Sequence, residues 1–333
     1  ISSRLGPGVS CGRMYNRNLV FAAACLGMLL FGIVFLSLGS AMNMLAERFQ
    51  FDNNSIGTLT ALLPFGILAG SLIFGPIVDR FGYRWMLIVC SLLVMAGLEG
   101  MAFGHREGHI QFFIFLIGLG GGVLNGATNA LAADVSEGAR GARLSLLGVF
   151  YGIGALGMPS TLAALSRHFS LAGIIAGIGV FVLVPVVYFL VIPFPPPKQQ
   201  ARSGALSSGL ALLRHPFFLL AGLALAIQSG MEGMTNDWIT RYFKNVTLSG
   251  ERAEEWKTLL GLMAVTGAMV LARIVLSGLL KHVNSQIVLF ASIGINAAGA
   301  LLLMHAKSYG VSLAAALLIG AGLAAAFPVV LGY

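Results

Sequence analysis

Apolar residues fall into ten long runs, at 18–45, 55–78, 84–103, 110–133, 143–166, 170–192, 214–243, 257–280, 286–305 and 309–330. Charged residues, glycines and prolines mark the breaks between them. A helix that crosses a bilayer needs roughly 20 predominantly apolar residues, so each run predicts a membrane span and not a core helix. None of the runs alternates strictly between apolar and polar. Hydrocarbon cannot satisfy backbone N–H and C=O groups, so the spans are predicted as helices and not as barrel strands. The predicted fold class is an all-α polytopic membrane protein.

One break differs from the others. Pro193, Pro195, Pro196 and Pro197 end the sixth run, and a polar, Ser-containing stretch continues to Arg214. The chain therefore divides into a tail (1–17), six spans (18–192), a linker (193–213) and four spans (214–333). Transporters assembled from two six-helix halves place substrate at the midplane between them. On that plan about ten of twelve helices are present and two are expected beyond Tyr333. Met14, followed by Tyr-Asn-Arg-Asn and an apolar run, has the form of a natural start, so residues 1–13 are expected to be upstream sequence. The first run is too long and too embedded in a series to be a cleaved signal peptide.

Composition agrees: 57% of residues are hydrophobic, 10% are charged, and the mean hydropathy is +0.90. Soluble domains carry about 25% charged residues. The formal charge of +8 raises nucleic acid as a partner, but the basic residues are scattered through loops, and no nucleic-acid binding is expected. Topology explains the basic residues better. With the N-terminus inside, one face receives Arg4, Arg13, Arg17, Arg80, Arg84, Arg140, Arg143, Lys198, Arg202, Arg214 and Lys281. The other receives Arg48, Arg106, Arg167, Arg241, Lys244, Arg252, Lys257 and Lys307. Short loops richer in Lys and Arg stay cytoplasmic, which predicts a multi-pass inner (plasma) membrane protein with a cytoplasmic N-terminus. Cys11, Cys25 and Cys90 show no paired spacing, and His105, His109, His168, His215, His282 and His305 show no metal-ligand spacing. No metal and no cofactor are expected. Gly118-x-Gly120 lies inside an apolar run without a preceding strand, so it reads as helix packing and not as a dinucleotide site.

Between the second and third runs lies Gly75-Pro-Ile-Val-Asp79-Arg80-Phe-Gly82-Tyr-Arg84. It resembles the signature loop of the major facilitator superfamily, G-x-x-x-D-R-x-G-x-R. Its glycines permit a tight turn and close helix approach, and its charges can latch one transporter conformation. A weaker echo, Arg273 to Asn284 with Gly278 and Lys281, follows the eighth run without the acid. Gly118, Gly120, Asn125 and Asn129 in the fourth run, Gly152, Gly154, Gly157 and Pro159 in the fifth, and Phe327-Pro328 in the tenth resemble the fucose permease and glucose (FHS) branch. That resemblance implies a sugar transporter, a symporter fold of two six-helix halves, and acids in the first and fourth helices for proton coupling. Asn43 and Asn125 occupy the corresponding places here. Asparagine does not titrate but can hydrogen-bond a sugar.

Polar side chains inside a span are costly and usually face a cavity or a partner. Asn125 and Asn129 share one face of the fourth span, and Gln228, Glu232 and Asn236 share one face of the seventh. With Asn43 and the ring of Trp238, these amides and one carboxylate suit sugar hydroxyls and an apolar sugar face. The alternative role is helix-to-helix adhesion, worth about 0.6 kcal/mol per contact. Glu232 is the coupling candidate, since it can carry a proton, bind sodium or accept from substrate, and the sequence leaves all three open. Asp237 and Glu99 lie nearer span ends, where water can solvate them. The chain reads as a monomeric non-enzyme in membrane lipid, moving a small polar solute. A drug or metabolite exporter and a membrane sensor that signals without transporting are the competing readings.

Overall fold

The computed structural model describes residues 15–136, 140–196, 216–247, 255–279, 283–325 and 329. Several residues that entered the topology, metal and family readings lie outside these: Arg4, Cys11, Arg13, Lys198, Arg202, Arg214, His215, Arg252, Lys281, His282, Phe327 and Pro328. Most of the 193–213 linker lies outside them too. The described elements are helical throughout. They are α1 (Arg17–Phe49), α2 (Asn53–Phe103), α3 (Glu107–Asp134), α4 (Arg140–Leu165), α5 (Leu171–Phe181), α6 (Leu183–Val191), α7 (Pro216–Tyr242), α8 (Glu255–Leu279), α9 (Ser285–Met304) and α10 (Tyr309–Leu323). A π-helical turn, Phe243–Thr247, extends α7. Among the described residues seven stretches, α1, α2, α3, α4, α5 joined with α6, α8 and α9, are long and apolar enough to cross a membrane, and the protein is an all-α polytopic membrane protein.

Two helix boundaries differ from the sequence expectation. The second and third spans are not joined by a loop. Both belong to α2, whose 51 residues would reach about 75 Å if straight, far beyond one bilayer. The chain doubles back at Gly82, whose φ of 78° and ψ of 167° fall in a region open essentially to glycine alone. The signature segment is therefore two helix ends meeting at one residue. The sixth span is divided in the opposite sense, into α5 and α6 at Val182. Pro185 has no N–H to donate to Phe181, which removes one rung of the helix there.

Packing forms two groups. In the first, α2 packs on α3 and α5, and α1 packs on α3 and α4; in the second, α10 packs on α8 and α9. Glycines set these distances. A Cβ on Gly70 would overlap the Leu119 carbonyl of α3, and one on Gly154 would overlap the Leu29 carbonyl of α1. The groups meet along two seams, α1 on α7 and α4 on α8. Phe65, Leu72, Val191, Leu220, Phe290 and Met304 are among the exposed apolar side chains, as expected for surfaces facing acyl chains.

The two signature glycines predict opposite results. Ala at Gly82 must adopt the strained backbone, at a cost of about 1–3 kcal/mol. Ala at Gly75 meets nothing within 4 Å. Thermal unfolding in detergent is expected to show a clear loss for Gly82→Ala and no change for Gly75→Ala.

Candidate functional site

The strongest polar cluster lies at middle depth, where both seams converge. Glu232, near the centre of α7, is 8% exposed. Its Oε1 accepts from the Tyr151 hydroxyl of α4 at 3.1 Å, and its Oε2 lies 3.4 Å from Nη2 of Arg273 on α8. The Arg273 guanidinium also sits 5.9 Å from the centre of the Tyr151 ring. Phe31 and Phe35 of α1 complete the wall, 5.7 and 6.2 Å from that ring. Four helices from both groups thus supply one carboxylate, one guanidinium, one phenol and two apolar rings.

This ion pair is not optimised for stability. Desolvating two charges costs several kcal/mol each, and the attraction offsets that only with excellent geometry and satisfied remaining donors. Here a single 3.4 Å contact joins the charges, and Nε of Arg273 is buried without a partner among the described residues. A hydroxyl-bearing ligand would supply the missing acceptor.

The other sequence candidates are placed differently. Asn43 is buried where α1 crosses α7 and α8, and donates to the Thr240 carbonyl at 3.2 Å and to Thr258 Oγ1 at 3.4 Å. It clasps the two groups. Thr240 Oγ1 returns a bond to the Gly39 carbonyl at 3.0 Å. Gln228 turns the other way, donating to the Leu323 carbonyl of α10 at 2.7 Å. Asn236 is buried with both amide atoms unpartnered among the described residues, and Trp238 is half-buried in the core. Asn125 and Asn129 do share a face, but they bond each other: Asn129 Nδ2 donates to the Asn125 carbonyl at 2.9 Å and to its side-chain Oδ1 at 3.0 Å.

Further contacts join the groups at the end where α1 finishes. Lys244 pairs with Glu47, and the Arg167 guanidinium lies 5.8 Å from the Trp256 ring. Together with the Asn43 and Thr240 bonds, these contacts close that face. At the opposite face the signature residues hold the first group together. Tyr83 donates to Asp134 Oδ2 of α3 at 2.7 Å, and Arg84 donates to the Leu190 carbonyl of α6. Asp79 is half-buried, and Arg80 is exposed with its guanidinium 5.3 Å from the Phe81 ring. A separate apolar cavity of about 510 Å³ lies between α1, α4 and α5, lined by Leu29, Ile153, Met158 and Phe181 among others. None of the Glu232 cluster lines it, so volume and chemistry point to different places, and the chemistry marks the site. Among the described residues, no group of three or more His, Cys, Asp or Glu is placed to hold a metal.

Sequence reasoning finds Glu232 and places Arg273 at the start of the weaker signature echo, but it does not join them. Tyr151 carries no signal, since a tyrosine in an apolar helix is ordinary until its neighbours are known. The expectation that Asp237 is solvated at a span end is corrected by its burial: it is 4% exposed. Glu99 is half-buried, with Oε1 held against Gly179 of α5.

The Major Facilitator Superfamily model matches residues 22–333. The transporter y4wD of Sinorhizobium fredii is 26% identical over 310 residues, covering 91% of this chain and 78% of the relative. Among solved structures, a mutant of the nucleoside transporter NupG matches with a TM-score of 0.73 at 15% identity, covering 93% of this chain and 80% of that one. A D-xylose-proton symporter matches at 0.72 and 16% identity, covering 92% and 80%. At these identities the two structural matches show the fold.

Removing one member of the buried pair strands the other. Arg273→Met is expected to destabilise by about 1–3 kcal/mol, because it leaves Glu232 without its cation. Adding Glu232→Gln to it should restore most of that loss in thermal unfolding. Losses that simply add would show the two residues to be uncoupled.

Proposed function

The chain belongs to the Major Facilitator Superfamily, and from that membership we propose that it is a secondary active transporter for a monosaccharide or similar small polyol. The observation that carries this reading is the Glu232–Tyr151–Arg273 cluster, backed by the rings of Phe31 and Phe35, between two helix groups. Sugars need acceptors and donors for their hydroxyls and an apolar wall for their C–H faces, and this cluster offers all three. The fold shared with a D-xylose-proton symporter and a nucleoside transporter supports a sugar-like solute. The fucose and glucose branch is the narrower version, carried by the glycine and asparagine pattern of α3.

Transport proceeds by rocking the two groups about this midplane site. With the N-terminus cytoplasmic in an inner (plasma) membrane, the face closed by Glu47–Lys244 and Asn43–Thr240 is the outer one. Signature residues Gly75, Asp79, Arg80, Gly82 and Arg84 then form the latch at the cytoplasmic turn of α2, beside the ends of α3 and α6. Asn125 and Asn129 from the first group and Gln228, Asn236 and Trp238 from the second are the further substrate candidates, reached from the present contacts only as the groups move, and Asn43 works at the closing seam. The transporter acts as a monomer in lipid and couples to a cation, proton or sodium.

Uptake of radiolabelled fucose, glucose and galactose into proteoliposomes, with and without proton or sodium gradients, tests the reading. Wild type is expected to accumulate at least one sugar when a gradient is imposed. Glu232→Gln, which cannot anchor Arg273 as an ion pair, should raise the half-saturating concentration severalfold or abolish uptake. No sugar uptake under any gradient would reject the sugar assignment.

A further inference from the structure

We propose that the groove between α1, α4 and α5 binds one acyl chain of an anionic phospholipid, with Arg167 and Lys257 meeting the phosphate at its mouth. The inference goes beyond the transport reading and stands on the membrane fold alone, whatever the solute carried. The groove has a volume of about 510 Å³. Pockets that hold small molecules run from about 300 to 1,000 Å³.

Position and shape suit a lipid chain. On α4 the lining runs from Ile153, halfway along the helix, to Leu165 at its end, a rise of about 18 Å. One leaflet of a bilayer contributes about 15 Å of hydrocarbon. The groove therefore spans one leaflet, from the loop that joins α4 to α5 down to the midplane, where Phe181 ends α5. Leu29 and Ile33 of α1 add to its wall, and among its lining residues Ile153, Phe169 and Phe181 are 53, 61 and 47% exposed. Apolar side chains exposed in a span meet lipid tails, which are as apolar as leucine, so the groove is open sideways to the bilayer. Two of its glycines are not explained by helix packing. Gly154 admits the α1 backbone, but a Cβ on Gly157 or Gly177 would meet nothing within 4 Å among the described residues. Glycine is a poor helix former, so these two positions keep the groove open at a cost to the helices.

The mouth carries the charge. Arg167 lies in the α4–α5 loop between the lining residues Leu165 and Phe169, and it is exposed. Its guanidinium is 5.8 Å from the centre of the Trp256 ring at the start of α8, and the Lys257 ammonium is 5.9 Å from the same ring. Tryptophan is enriched where membrane meets water, so this indole marks headgroup depth. Two cations around it suit a phosphate, and a net negative headgroup more than a zwitterionic one. Arg167 comes from the first group and Lys257 from the second, so the headgroup bridges the α4–α8 seam.

Lipid titration of the purified protein in detergent tests the site. Dioleoylphosphatidylglycerol and dioleoylphosphatidylcholine are added separately, and bound lipids are counted by native mass spectrometry. The first phosphatidylglycerol is expected to bind at a concentration severalfold below that needed for the second, and severalfold below that needed for phosphatidylcholine. Gly157→Leu with Gly177→Leu fills the groove and should remove this tight step for both lipids without lowering the melting temperature. Arg167→Gln with Lys257→Gln leaves the groove intact and should bring phosphatidylglycerol to the phosphatidylcholine level. Equal binding of the two lipids by the parent protein would overturn the proposal, as would a tight phosphatidylglycerol step that survives in either double variant. A first step reproduced by glycerol phosphate, which has the headgroup chemistry without the chain, would overturn it too.

Discussion

A charged side chain inside a membrane span must find water or a partner, and that requirement determines where the two helix groups of this protein meet. Glu232 and Arg273 sit on adjacent helices of the second group, yet the phenol that completes their shell, Tyr151, comes from the first. The seam is therefore held at middle depth by polar atoms that lipid could not satisfy. The same requirement acts toward the closed face, where Asn43 reaches from α1 to Thr240 and Thr258. The specific polar contacts at the seam can be exchanged for others in another arrangement. Rocking of the groups is then an exchange of partners.

Glycine provides the complementary constraint. Close helix approach inside each group needs residues without side chains, and the pairs Gly70 with α3 and Gly154 with α1 give rigid bodies whose internal spacing leaves no room for Cβ atoms. Groups that move as rigid bodies are what alternating access requires. Gly39 against Asn236 and Gly152 against Val270 make their close approaches between the groups and not within one.

Much of the fold was legible because span length is a property of the bilayer and not of tertiary packing. The ten apolar runs correspond to the helices observed, with α2 holding two of them and α5 with α6 sharing one. The turn at the signature glycines was legible, though not that helix runs up to Gly82 from both sides; the break at Val182 was not anticipated. The site was legible in part. Glu232 stood out as a carboxylate in mid-span, and Asn125 and Asn129 were placed correctly on one face. What the pattern could not carry was pairing between helices. Arg273 is 41 residues from Glu232, and Tyr151 is 81 residues away. Asp237 was misjudged for a related reason: nearness to a span end suggests solvation, while packing between helices leaves it only 4% exposed.

The central claim is that α1 and α7 part and rejoin at the face where the structure is closed. Spin labels at Asn54 and Lys307, exposed residues of the first and second groups at that face, allow the separation to be measured by electron–electron double resonance in nanodiscs. The account predicts at least two distances, with their populations shifting when sugar is added. A single distance that is unmoved by added sugar would contradict it.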